Sequence, residues 1–484
     1  MKIKSHLLII TPILKKIGSL ALFSMGGITS GLLSLFLLPF FTENLSVVEF
    51  GKVTFYMSLV TFISCFSLLG LNTYTLKEVY YKNNKKEQIM FYCNMFLFIF
   101  VWNVILCLIS YPLLLLIVPA LFPEMQIHPY LIIVLFSMLA SSLMIIPVII
   151  LRVSQKPLFY GLITTGAILM SQCLSVIFVM QSPFGYSKML GACVSSLFVG
   201  GGSLIVLLYY GKKYSKKYYR LDFAEIKKGV IFGYPLILTS ILTYLASSFD
   251  ALLIGWFLAP ADLGIYGVAL TISAGITVVL YALYQLTEPD FFRIATDEEN
   301  FKKSGFANLL LKVCSIITLL GTIICLFIIP LGQFLIRRAE FASAVSLLPM
   351  IAGAIILRSC NSFSLIGITA LGKTRIYPVL TAVKVIFVIS CEIIGIKIMG
   401  ISGVPMGMFV GETLYSFVIL VIVTKRYAFN IQKAYRFLLI LISCLFLVFG
   451  TFLFPSQYPS IVAAIISSLF MVYLSCGRGR ELMI

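Results

Sequence analysis

Six ionisable side chains lie inside long apolar runs: Asp250, Lys312, Arg358, Lys384, Glu392 and Glu412, all in the second half of the chain. A charge in hydrocarbon is costly, so such residues mark the binding or transfer of ions unless they neutralise one another. Arg358, in "LRSCNSFS", carries a planar fork that suits the oxygens of an anionic group. Glu412, in "FVGETLYS", sits at a similar depth in its own run, so a buried structural ion pair with Arg358 is the other reading. Lys312 and Lys384 lie one or two turns from the cytoplasmic ends of their helices. They either snorkel to the headgroups or draw an anion inward. Glu392, two turns beyond Lys384 and roughly on the same face, either partners that lysine or carries a coupling proton. Asp250 follows Ser247 and Ser248 and either binds a coupling cation or hydrogen-bonds locally. Three acids against three bases leave the set neutral, so it does not by itself make a strongly cationic lumen. The first half supplies Asn94, Asn103 and Gln172, suited to hydrogen bonds between helices, and an acid–base pair at a membrane edge, Glu49 and Lys52.

These groups must be held by membrane helices. Of the 484 residues 60% are hydrophobic and only 11% charged, with mean hydropathy +1.06. A soluble fold that apolar would have no polar surface to offer water, so the chain is read as an all-α polytopic membrane protein. A spanning helix takes roughly 20 apolar residues. Runs of that kind predict about fourteen helices, the first near 17–41, the seventh near 229–257 and the last two near 437–454 and 460–476. Connections are short, which leaves no sizeable soluble domain. Residues 1–16 lack a small-residue cleavage site and read as a retained cytoplasmic segment.

Orientation follows from the basic residues. With the N-terminus inside, the large majority of the 36 Lys and Arg fall on cytoplasmic segments such as 77–86, 211–228 and 425–436. Lys52, Lys188, Arg337, Arg338 and Lys397 fall outside, and Lys312, Arg358 and Lys384 within helices. That asymmetry places both termini in the cytoplasm. It also accounts for the net charge of +18 through anionic lipid headgroups, without nucleic acid. The eleven cysteines show no CxxC spacing and histidine is limited to His6 and His128, so neither a disulfide framework nor a metal site is expected.

The chain repeats itself. In "LSVVEFGKVTFY" (45–56) and "LAPADLGIYGVA" (258–269), Leu45, Glu49 and Gly51 fall on Leu258, Asp262 and Gly264. Further along, Lys156 and Tyr160 match Lys373 and Tyr377, and Gly185 and Ser187 match Gly400 and Ser402, in order and at nearly the same offset. Each match falls at the same step of the topology. The offset spans an even number of helices, so the halves run parallel, as in transporters with an axis along the membrane normal. The predicted organisation is a six-helix bundle over 1–210, a basic cytoplasmic linker over 211–228, a second bundle over 229–423, and helices 13 and 14 over 424–484. Glu49, at the start of a helix, favours its dipole.

The pattern "LSVVEFG" after "FLLPFFTENL", the block "FDALLIGWFLAPADLGIYGVA" (249–269) and "ALGKTRIYPVL" (370–380) resemble Wzx-type oligosaccharide flippases. That family shares a superfamily with multidrug exporters of the MATE type and lipid II flippases. The resemblance implies two V-shaped bundles around a central cavity. It also implies that a polyprenyl-diphosphate-linked oligosaccharide is moved to the outer leaflet of the bacterial inner membrane, in O-antigen or other polysaccharide assembly. Partners would be that lipid-linked substrate, membrane lipids and other membrane proteins of the assembly. Under it, Arg358, Lys384, Lys312 and Lys52 are the candidate substrate-binding residues, and Asp250, Glu392 and Glu412 the candidate ion-coupling residues. Fourteen helices, where many oligosaccharide flippases have twelve, keep the lipid II type as an alternative.

"GITALGKT" (367–374) fits the phosphate-loop spacing, but that loop needs a strand feeding a helix in a soluble domain. Here a membrane helix precedes it, so ATP and other cofactors are not expected and transport energy must come from ion gradients, membrane potential or product removal. A MATE-like cation exporter, relying on Asp250, Glu392 and Glu412, is the rival transporter. A membrane glycan polymerase or ligase is a distant one, since the longest outer loop (119–129) offers only Glu124 and His128.

Overall fold

Apolar runs separated by short polar corners fold as helices, because a chain in lipid must satisfy its backbone groups within each segment. The computed structural model describes residues 26–82, 84–214, 222–296, 305–370 and 376–426, and among them all regular structure is helical. The helices are α1 (Gly26–Asn44), α2 (Val47–Ser67), α3 (Leu71–Glu78), α4 (Lys85–Leu121), α5 (Tyr130–Ser142), α6 (Ile145–Val153), α7 (Pro157–Gln181), α8 (Gly185–Tyr214) and α9 (Phe223–Ser247). They continue as α10 (Asp250–Phe257), α11 (Pro260–Thr296), α12 (Gly305–Leu335), α13 (Ala344–Ala370), α14 (Tyr377–Met399) and α15 (Gly403–Arg426). Among the described residues, ten stretches are long and apolar enough to cross a membrane. The expected helices at 437–454 and 460–476, the segment 1–16 and residues 215–221 of the loop 211–228 lie outside the described residues.

Large apolar side chains point outward, as lipid-facing surfaces require: Phe36 is 78% exposed, and Leu116, Phe334 and Ile398 are almost as open. Polar groups turn inward instead. Asn103 donates to the carbonyl of Ser67 at 3.1 Å and accepts from its hydroxyl at 2.6 Å, joining α4 to α2. Ser58 and Tyr244 pair at 2.9 Å. These are the interhelical hydrogen bonds expected of buried amides and hydroxyls in hydrocarbon.

The repeat is visible in helix boundaries. Asn44 and Phe257 end α1 and α10, Val47 and Pro260 begin α2 and α11, and Tyr130 and Ala344 begin α5 and α13. At the first corner Ser46 caps α2, its hydroxyl accepting from the Glu49 amide at 3.3 Å.

The chain divides into two compact units, Met1–Tyr244 and Leu245–Ile484. The divide falls one helix later than the loop 211–228, because most of α9 is held by the first unit. A left-handed residue, Gly70 at φ 72°, leads into α3 and lets its backbone lie against Gly233 of α9, where any Cβ would clash. Glu225 of α9 accepts from Lys82 at 3.1 Å and from the Tyr74 hydroxyl at 3.2 Å. Burial first, and the Glu225 carboxylate after it, hold the Tyr74 phenol above its ordinary range, so it stays a donor. The seventh apolar run, expected unbroken over 229–257, is interrupted between α9 and α10. The Asp250 carboxylate takes the Ala251 amide at 2.9 Å at the new helix start, the local side chain–backbone bond that competes with helix continuation.

In the second unit α14 and α15 form a tight antiparallel pair. Gly403, Gly407 and Gly411 make a stripe down α15, and the space a Cβ would need at each is filled by the α14 backbone: Gly395, Cys391–Glu392 and Val388 respectively. Small residues at this spacing let two backbones meet in a membrane.

Candidate functional site

Close approach of α14 and α15 brings together charges that are far apart in sequence. Glu412 is fully buried on α15, and its Oε1 accepts from Arg358 Nε of α13 at 2.8 Å and from Lys384 Nζ of α14 at 2.8 Å. Its Oε2 accepts from Asn361 Nδ2 at 3.3 Å. Asn361 stands one turn after Arg358 on the same face of α13, and its Oδ1 accepts from Ser416 at 3.0 Å. Ser416 also donates to the Glu412 carbonyl at 2.8 Å. The carboxylate is thus met by two cations and an amide, the condition under which a buried charge is tolerated.

The cluster extends to the α9–α10 break. Arg358 Nη2 donates to the Ala246 carbonyl at 3.3 Å and interacts electrostatically with Asp250 and Glu392. Asp250 accepts from the hydroxyl of Tyr266 on α11. Glu392 is only 3% exposed on α14. It feels Asp250, Glu412 and Arg358 electrostatically, yet no hydrogen bond to it is present among the described residues. Asp250, Glu392 and Glu412 against Arg358 and Lys384 leave one negative charge in excess when all are ionised. Arg358 and Lys384 keep 23% and 14% of their side chains exposed, so both cations reach an accessible surface while Glu412 does not.

Of the seven residues singled out in the sequence, five meet here. Lys312 does not, being exposed on α12. Lys384 pairs with Glu412 rather than with Glu392, the partner suggested by spacing along one helix. Asp250 accepts locally from the Ala251 amide and, across to α11, from Tyr266. Lys52 lies in the first unit in a second constellation. Its Nζ binds Glu49 Oε1 at 2.7 Å and Gln126 Oε1 at 3.1 Å, and its ammonium lies over the Tyr130 ring. The other oxygen of Glu49 accepts from the Gly185 amide at 2.7 Å and from the Tyr130 hydroxyl. One carboxylate therefore serves the first turns of both α2 and α8, where helix dipoles favour a negative charge.

Tyr266, Asn361, Ser416 and Tyr130 carried no chemical signal of their own in the sequence, and Gly185 stood out only as a position of the repeat. The glycine stripe of α15 was a readable sign that its neighbour approaches closely. In "GITALGKT", Gly367–Ala370 end α13, and 371–375 lie outside the described residues.

Among the described residues the chain is all-helical, with ten stretches long and apolar enough to cross a membrane and charges buried inside its spans. Its fold is shared by several solved structures. The lipid II flippase MurJ in an inward closed conformation matches at TM-score 0.70 and 15% identity, covering 96% of this chain and 100% of that one. The MATE multidrug transporter DinF-BH matches at 0.59 and 16%, covering 86% and 97%. The Vibrio cholerae MATE transporter VcmN matches at 0.51 and 16%, covering 86% and 99%. No curated protein matches the sequence. The chain belongs to the family described as polysaccharide biosynthesis protein, whose profile matches residues 44–337. Family membership agrees with the resemblance to Wzx-type flippases carried by the corner motifs. Arg358, Lys384, Glu392 and Glu412 lie beyond the matched segment.

Proposed function

We propose that the protein flips a polyprenyl-diphosphate-linked oligosaccharide repeat unit from the cytoplasmic to the outer leaflet of the bacterial inner membrane. It works by alternating access, with both termini in the cytoplasm. Membership of a polysaccharide-biosynthesis family supports the substrate class. The observation that carries the reading is the sharing of Glu412 by Arg358 and Lys384. Both cations reach an accessible surface, so a diphosphate competes with Glu412 for them, and release of Glu412 leaves the cluster with too much negative charge. A proton or cation taken up at Glu392 or Asp250 restores the balance, which couples substrate binding to an ion. Glu392 suits this role because it is buried with no hydrogen bond among the described residues. Lys52, already held by Glu49, and Lys312, exposed, have weaker claims to substrate.

Export of an anion across a membrane negative inside gains about 2.3 kcal/mol per charge per 100 mV. The test is reconstitution in vesicles with a fluorescent lipid-linked saccharide and an imposed potassium diffusion potential. Flipping should accelerate with the potential, and Glu392→Gln should abolish any response to a pH gradient. Rates indifferent to both would overturn the coupling scheme, and absence of flipping would overturn the substrate class. The excess acid of the cluster supports a second reading, a MATE-like exporter of cations. Under that reading, loss of the protein leaves surface polysaccharide intact and sensitises cells to cationic drugs.

A further inference from the structure

Three partly buried cations among the described residues are neutralised on the spot: Lys52 by Glu49, and Arg358 and Lys384 by Glu412. Lys188, half-buried in the first turns of α8, is held differently. Its ammonium stands 4.3 Å from the centre of the Phe41 ring on α1 and 4.5 Å from that of Phe50 on α2. No carboxylate acts on it among the described residues. Glu43, two residues from Phe41, is exposed and makes no ion pair with it. Glu49, the nearby half-buried acid, is already engaged by Lys52, Tyr130 and Gly185.

The backbone beneath Lys188 is fixed from two sides. Gly185 is tied to Glu49, and the Lys188 carbonyl accepts from Ser175 of α7 at 2.8 Å. Two ring faces stabilise an ammonium by about 0.5–2 kcal/mol each, less than the hydration a lysine gives up on burial. The position therefore favours any anion that arrives.

The internal repeat shows that the corner itself has no need of this lysine. In the second unit, Phe41, Phe50 and Lys188 correspond to Ile254, Leu263 and Gly403. Ile254 and Leu263 are fully buried, and Gly403 packs on Gly395. Aromatic rings occur where the cation occurs, and aliphatic side chains where it does not. All three positions differ together, which marks a function added to one copy.

We propose that Lys188, framed by Phe41 and Phe50, binds the phosphate oxygens of an amphiphile at the outer end of the first unit. Placement at the outer end rests on the orientation proposed above. The phosphate belongs either to the diphosphate of the transported lipid or to the headgroup of a resident anionic phospholipid.

The test uses full-length wild type, Lys188→Gln, Lys188→Arg and the double variant Phe41→Leu/Phe50→Leu, in nanodiscs of phosphatidylcholine or of phosphatidylglycerol. Binding of undecaprenyl diphosphate is measured in the first, and retention of phosphatidylglycerol is measured by native mass spectrometry in detergent. Expected is a loss of about tenfold in diphosphate affinity for Lys188→Gln, the size of one charge-assisted contact. Lys188→Arg should recover most of it, and the Phe pair should weaken binding without abolishing it. Loss of phosphatidylglycerol retention with unchanged diphosphate affinity identifies the headgroup as the source. Unchanged values for both ligands in Lys188→Gln overturn the proposal. Unchanged thermal unfolding of Lys188→Arg separates binding from misfolding. Vesicle flipping measured in parallel keeps the two ideas apart. Diphosphate binding that needs Lys188, in a protein that moves no lipid-linked sugar, refutes the flippase reading and leaves this one standing.

Discussion

Replacing Glu412 by Gln keeps the shape of the side chain and removes its charge. Two donors, Arg358 Nε and Lys384 Nζ, both at 2.8 Å from Oε1, then face a neutral amide. Removing one partner of a buried ion pair costs about 3–5 kcal/mol, since the remaining charge stays buried and uncompensated. Arg358 and Lys384 are 23% and 14% exposed, and water reaching them lowers the figure, so about 3 kcal/mol is the working value. For a unit of this size each kcal/mol shifts the midpoint by roughly 2–4 °C, which gives a fall of roughly 6–12 °C. The assay is thermal unfolding of purified protein in detergent, followed by the loss of its monodisperse peak. A cycle sharpens it: Lys384→Gln alone should cost less, because Arg358 still holds Glu412. Adding Lys384→Gln to Glu412→Gln should recover part of the loss, with a coupling of about 0.5–3 kcal/mol. A midpoint for Glu412→Gln within about 1 °C of wild type, or strictly additive effects in the double variant, would refute the claim that these charges form one cluster.

Tyr266→Phe deletes the hydroxyl that Asp250 accepts from, and the stranded carboxylate should cost about 1–3 kcal/mol in the same melting assay, with Asp250→Asn restoring part of it. Gly411→Leu places a side chain where the Val388 backbone lies. It should prevent α14 and α15 from closing, seen as loss of folded protein on size exclusion, while Leu at the outward Gly201 should not. Glu49→Gln withdraws the negative charge shared by Lys52, Tyr130 and the Gly185 amide. The midpoint should drop by about 1–3 kcal/mol equivalents, and amide exchange at the start of α8 should quicken.

Much of the architecture was legible because lipid imposes it. Runs of apolar residues had to be helices, and the rare charges inside them stood out for the same reason. The corner at Glu49 was recognised through its copy at Asp262, and the helix starts at Val47 and Pro260 fall at the same offset. What spacing along one helix missed were the partners. Lys384 and Glu392 share a face of α14, yet Lys384 turns to α15, because Gly407 and Gly411 let that helix press against the α14 backbone and carry Glu412 within reach. Likewise the break at 248–249, which gives Asp250 its place at a helix start, is invisible to hydropathy, since both sides of it are equally apolar.

By itself, the sequence determined that this chain crosses the membrane many times, that it repeats, and where its costly charges sit. Those properties follow from composition and order alone, because the transfer of each residue into hydrocarbon is a local matter. Only the tertiary structure decided which charges cancel and which do not. Glu412 holds two cations, and among the described residues Glu392 is buried without a hydrogen bond and Lys188 rests on two aromatic faces without an acid. An ion pair is settled over a few ångströms between helices distant in sequence, and whether that gap closes depends on which residues let the backbones meet.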